Sequence, residues 1–323
     1  MEDGENDQMQ YKKNLQQFWV QCYLTLWTGG HSMKEEGYHR IWSVFKYKEW
    51  WNFTFFSKKV SLVFSHTVLK SPIRDHITSS IWNFKTNEKV ELYFDSRISA
   101  AEGDHTDLYA EGKEGTFSVK GKYEEGGWEV KIRNPKLSAT LFYKPQCPQK
   151  IIEAFWEKKF KCELYAKNAV TGTLSAFGKT FEIDTLGCRE HTFCDFPRNT
   201  SWNWVVALHD DYSFVISRGD YSGYDYKYAV MYDNKKWIDL DSNVKFTVDE
   251  QHILKTCSLT SSDVDLKIYP IRHRYEHKKI LMGILVDAHY WELATRIAGS
   301  LRIKRKKIPI DTYGIMTRSR MKW

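Results

Sequence analysis

Apolar and polar residues alternate with a period of two along most of this chain. In "TFFSKKVSLVFSHTV", residues 54–68, two alternating runs flank Ser57-Lys58-Lys59. The same pattern recurs around Glu125-Gly126-Gly127, Gly178-Lys179, His209-Asp210-Asp211 and Asp233-Asn234-Lys235-Lys236. Alternation sends successive side chains to opposite faces of a strand, and each break carries residues suited to a turn. Short strands at such spacing predict an all-β fold of antiparallel hairpins, a sandwich or barrel. Only residues 148–168, "PQKIIEAFWEKKFKCELYAKN", space apolar residues by three and four, which predicts one short helix.

That segment also reads as a divider, because Pro145 and Pro148 interrupt the strand pattern before hairpins resume at Val170. A chain of 323 residues exceeds the size at which a single core stops growing, about 250–300 residues. Two consecutive antiparallel barrels are therefore expected, over residues 1–147 and 148–323. No fixed-period repeat in the sequence supports the duplication directly.

One stretch raises a sharper question. In "YKEWWNF", Trp50 and Trp51 are adjacent, and on a strand they must point to opposite faces. Each indole then needs its own apolar surroundings. Two packed barrels supply them: one ring enters a barrel interior and the other the contact between barrels.

Composition excludes more than it identifies. The net charge of +7 comes mostly from scattered lysines, so nucleic acid is not an expected partner. The densest basic runs, "RHRYEHKK" (272–279) and "RIKRKK" (302–307), fit exposed strand ends or peripheral contact with a membrane surface. The first residues are acidic and polar, without the apolar core of a secretory signal, and no window approaches a membrane-spanning length. Six scattered cysteines without a CxxC pair read as reduced, mostly buried thiols of a cytoplasmic protein. There is no GxSxG elbow, no Walker loop and no dinucleotide fingerprint. His209-Asp210-Asp211 falls on a turn without a ligand-spaced partner and reads as solvated, not as a metal site.

Three motifs carry a resemblance. "EWWNF" (Glu49 to Phe53), "GCREHTFCDF" followed by "SWNWVVAL" (Glu190, His191, Trp202, Trp204), and "HYWEL" (Tyr290, Trp291, Glu292) fall in this order across nearly the whole chain. Together they resemble the lipocalin-like superfamily of carotenoid 1,2-hydratases, AttH-type proteins and fungal Diels–Alderases. Asn52, Glu190, Phe193 and Leu293 depart from its usual tyrosine, aspartate, tryptophan and glycine. The resemblance implies two lipocalin-like barrels and a hydrophobic ligand, commonly isoprenoid or polyketide-derived.

The residues suggest the chemistry. A carboxyl group among aromatic neighbours resists ionisation, because burial penalises the charged form. Glu190 is the expected catalytic acid, able to protonate an alkene, polyene or enol, with His191 orienting it or accepting the later proton. Trp51, Trp202, Trp204 and Trp291 are expected to line the substrate pocket and stabilise a cation; Glu49 and Glu292 are the other acids assigned there. Such a route needs no cofactor. Two functions remain open: a cofactor-free lyase or isomerase/cyclase, and a non-catalytic lipid or hydrophobic-ligand carrier. A buried ionisable group beside a substrate-sized cavity distinguishes the first.

Overall fold

The computed structural model describes residues 47–322, apart from 72–74, 95, 101–105, 123–125, 156–158, 250–251, 281–282 and 284–285. The polar N-terminal stretch and Cys22 lie outside the described residues. Within them the chain is all-β, in two curled antiparallel sheets, as the alternation predicts.

The first sheet is built from β1 (Tyr47–Ser57), β2 (Leu62–Lys70), β3 (His76–Asn83), β4 (Lys89–Phe94), β5 (Ser99–Ala100), β6 (Asp107–Gly112), β7 (Gly115–Lys122), β8 (Gly127–Asn134), β9 (Leu137–Pro145), β10 (Lys150–Phe155), β11 (Lys159–Ala176) and β12 (Lys179–Asp195). The second holds β13 (Asn199–Leu208), β14 (Ser213–Tyr221), β15 (Tyr224–Tyr232), β16 (Trp237–Asp239), β17 (Lys245–Thr247), β18 (Cys257–Thr260), β19 (Val264–Ile280), β20 (Val286–Ile303) and β21 (Lys306–Lys322). In spatial order the second sheet runs β16-β15-β14-β13-β21-β20-β19-β18-β17. The first repeats that plan as β4-β3-β2-β1-β12-β11-β9-β8-β7-β6-β5, with β10 added beside β11. In each sheet the first strand pairs with the last. The duplication that sequence periodicity hides is plain in this topology.

Two expectations are corrected. In place of the expected helix over 148–168, Lys150–Phe155 and Lys159–Ala176 are strands: Phe160, Cys162, Leu164 and Ala166 alternate into a buried apolar layer, and burial overrides their helix-like spacing. The sheets also change over at residues 196–198, not near 147, because β10, β11 and β12 pair into the first sheet. The turns hold better. Phe177 and Gly178 both adopt positive φ between β11 and β12, the geometry of a two-residue hairpin and one for which glycine is suited. The five described cysteines are all buried, in line with reduced thiols.

Three apolar layers follow from the alternation. Trp51, Phe53, Phe55, Phe64 and Val68 fill the first curl. Val205, Phe214, Leu293, Ile297 and Met316 fill the second. A third layer lies between the sheets, where Phe56, Cys162, Leu164 and Phe196 meet Trp204, Val206, Tyr226 and Tyr228. Phe56 stacks on Tyr313 across this contact at a ring separation of 4.5 Å. The tryptophan pair divides accordingly. Trp51 lies in the first core, while Trp50 faces the second sheet and stacks on Trp202, 6.1 Å away and nearly parallel.

This division predicts unequal costs of truncation. Trp51→Ala should lower the unfolding free energy by about 3–5 kcal/mol, the range for deleting a large core aromatic. Trp50→Ala should cost clearly less, since its ring is half-buried. Urea unfolding of both variants checks the order; equal losses would contradict it.

Candidate active site between the sheets

β1 and β12 bury side chains on both faces, so adjacent residues enter different environments. Facing the second sheet, Glu190 sits directly opposite Asn52 in the ladder, and Trp50 opposite Thr192. Asn52 Nδ2 donates to Glu190 Oε2 at 3.2 Å, while Trp50 Nε1 and Thr192 Oγ1 donate to Oε1 at 3.3 and 2.7 Å. Glu190 is 7% exposed and borders a cavity of about 150 Å³ between the sheets. A void of that size accommodates a benzene-sized ring.

The cavity has two unlike ends. Around Glu190 stand Trp50, Phe160, Trp202, Trp204, Tyr226 and Tyr228. Trp204 Nε1 donates to the Tyr228 hydroxyl at 3.1 Å, which fixes both rings. Burial raises the Tyr226 and Tyr228 pKa well above the phenolic range, so both remain neutral. The other end is polar. Arg274, Glu276 and Lys278 alternate on β19 toward His76 and Thr78 of the first sheet, with Tyr290 opposite Glu276. Arg274 contacts Glu276 at 3.1 Å and Glu292 at 3.4 Å. Burial alone would disfavour its charge, yet these carboxylates raise its pKa further. Burial acts against the Glu276 carboxylate too, but His76 and Arg274 outweigh it and hold its pKa down.

Of the residues expected at the site, Glu190, Trp202 and Trp204 border this cavity. His191 does not. One position along the strand, it points into the first curl, fully buried, with Nε2 2.7 Å from Glu49 and Nδ1 3.2 Å from Glu163. Trp51 stacks on its ring at 4.8 Å, and the Tyr47 hydroxyl donates to Glu49. Glu49, Trp51 and His191 are thus parts of one internal cluster, with Lys161 2.8 Å from Glu163. Trp291 faces the second core and not this cavity. Glu292 stays behind the polar wall, where Ser65 Oγ and the Tyr290 hydroxyl donate to it at 2.9 and 3.2 Å. Burial raises its pKa against the pull of Arg274. Sequence reasoning missed Trp50, Asn52, Arg274, Glu276 and Tyr290. The signal was available: with Trp51 inside, Trp50 and Asn52 must face out, and every second residue of "RHRYEHKK" follows one face.

The architecture is lipocalin-like, a pair of curled sheets with a cavity at their contact. Solved structures share it. AttH from Nitrosomonas europaea is 11% identical over 89% of this chain and 95% of its own, with a TM-score of 0.58. CghA is 10% identical over 90% of this chain and 95% of its own, at 0.63. Kievitone hydratase from Nectria haematococca is 13% identical over 84% and 88%, at 0.58. At these identities the likeness establishes the fold. No family model matches the sequence, and no curated protein is detectably similar to it in sequence.

The internal cluster gives a pH prediction. Burial opposes the His191 charge, but Glu163 and Glu49 outweigh it and raise the pKa above 6.5. Its stabilising contribution is complete below pH 6.5 and is lost as pH rises through the raised value. Burial acts against the Glu163 carboxylate, yet His191, Arg189 and Lys161 hold its pKa at about 2, from 4.5. That contribution is present above pH 4.5 and lost as pH falls toward 2. Unfolding free energy should therefore decline on both sides of the window between those two ordinary values. His191→Gln should flatten the alkaline slope in denaturant unfolding; an unchanged slope would assign it elsewhere.

Proposed function

We propose that the chain is a cofactor-free lyase or isomerase/cyclase acting on a hydrophobic, unsaturated, isoprenoid- or polyketide-like small molecule in the cavity between the sheets. The observation that carries this reading is Glu190, a carboxyl group held by donors from Trp50, Asn52, Thr192 and Cys162 on the wall of a cavity with an aromatic end. A carrier needs apolar lining and an entrance; it does not need an acid fixed at a cavity wall.

The chemistry follows from the two ends. As general acid, Glu190 would transfer a proton to an alkene or enol carbon, whose π electrons form the new C–H bond. The positive charge on the neighbouring carbon lies among the faces of Trp50, Trp202 and Tyr226, each worth about 0.5–2 kcal/mol. Loss of a proton back to the Glu190 carboxylate completes isomerisation, and capture of water followed by the same return completes hydration. At the far end Arg274, Lys278 and Tyr290 supply donors for a carbonyl or enol oxygen. Such donors polarise a conjugated system and favour cyclisation. The general class is supported by structural neighbours: one is a hydratase of kievitone by name, and CghA has been crystallised with the small molecule Sch210972.

The test begins with native mass spectrometry and tryptophan quenching against a panel of polyenes, prenylated phenols and enolisable polyketides. For any compound turned over, Glu190→Gln should lower kcat by about 10²–10⁴-fold, the contribution of general acid catalysis, with binding little changed. Glu292→Gln should instead lower the melting temperature, since it leaves Arg274 and Ser65 mispaired. Full turnover in Glu190→Gln would sink the acid assignment; saturable binding without turnover across the panel would favour the carrier.

A further inference from the structure

The basic run at 272–279 has a second face, turned away from the cavity. Tyr275 and His277 on β19 stand opposite Trp291 and His289 on β20, and Asp287 precedes His289 by two residues on the same face. Two ligands at i and i+2 on one strand, with a third directly across on its neighbour, converge on one point above the sheet. Here they do so closely. Asp287 Oδ1 lies 2.7 Å from His277 Nε2 and 3.3 Å from His289 Nε2. One donor atom from each residue falls within 4.8 Å of the others. Tetrahedral bonds of about 2.0 Å place ligand atoms roughly 3.3 Å apart, so small side-chain rotations complete the geometry.

The surroundings suit the role. The Tyr275 hydroxyl is 2.8 Å from His289 Nδ1. With Nδ1–H donating to that oxygen, Nε2 presents its lone pair toward Asp287, the arrangement by which outer contacts orient ligating imidazoles. The His277 and His289 rings stack at 4.0 Å, which fixes both planes. Lys279 and Arg320 are close enough to act on His289 electrostatically, so the field does not favour a cation and binding must come from the ligand bonds. His289 also borders a cavity of about 540 Å³, lined by Asn203, Trp291, Arg318 and Arg320. Three protein ligands beside an open space leave a position for water or a small anion.

We propose that His277, Asp287 and His289 form a binding site for a divalent first-row transition metal, zinc being the reference ion, at the mouth of the second curl. It is separate from the site containing Glu190, which occupies the opposite face of the same strands.

The full chain should be titrated with zinc chloride by calorimetry and with cobalt(II) by visible absorption, using magnesium as control. One zinc per chain, cobalt d–d bands of a nitrogen/oxygen site and no magnesium binding are expected. His277→Ala and Asp287→Asn should each weaken zinc by at least about tenfold, since even outer-shell changes cost 10–100-fold. Circular dichroism checks that the variants fold. Asp287→Asn, nearly isosteric, carries the test if His277→Ala does not. Absence of saturable zinc binding, or affinity undiminished in the folded variants, would overturn the proposal.

Discussion

Everything at the candidate site depends on two neighbouring strands that bury both faces. β1 and β12 form the wall between the first core and the contact with the second sheet. A single backbone layer therefore separates two polar clusters of different kinds. Behind it, Glu49, His191, Glu163 and Lys161 balance two negative groups against two positive ones, enclosed by aromatic rings. In front, Asn52, Trp50 and Thr192 hold Glu190 at a cavity. A slip of one residue between β1 and β12 would exchange the clusters and bury every group beside the wrong partner. The pairs Trp51–His191 and Asn52–Glu190 thus hold the register as well as the site.

Ion pairs make the polar end of the cavity tolerable in a buried contact. Taking a charge from water costs several kcal/mol unless a partner and hydrogen bonds answer it. Arg274 is answered by Glu276 and Glu292, and Glu292 by Ser65 across the sheet contact. The first curl uses another device. The Arg189 guanidinium lies 4.6 Å from the Trp128 ring and 5.6 Å from Tyr165, with its charge also felt by Glu163. Aromatic faces take the place of acceptors there, a weaker compensation than a carboxylate.

The fold was legible because its signal is local. Alternation and turn residues mark hairpins without any knowledge of partners, and the five proposed turns rest on that alone. The error at residues 148–168 has the same origin. "IIEAFWEKKF" satisfies a helical spacing, and only the neighbouring strands, invisible in the sequence, decide for β. At the site, the adjacency of Glu190 and His191 suggested a working pair, although on a strand adjacency separates two side chains. The opposite partners were harder to foresee: Glu190 meets Trp50 and Asn52 from residues nearly 140 positions away, and no local pattern encodes that pairing.

The same reasoning separates the two acids nearest the contact. Glu292 is more deeply buried, and burial raises its pKa, which by itself would recommend it as a proton donor. Its contacts argue otherwise. Ser65, Tyr290 and Arg274 already engage it, and it lies behind the cavity wall, so a substrate would have to break a link between the sheets to reach it. Glu190 has its partners on its own sheet and its face toward the void. Proton transfer demands contact before it demands a favourable pKa. Position therefore assigns Glu292 to holding the sheets together and, in the reaction proposed above, Glu190 to meeting the substrate.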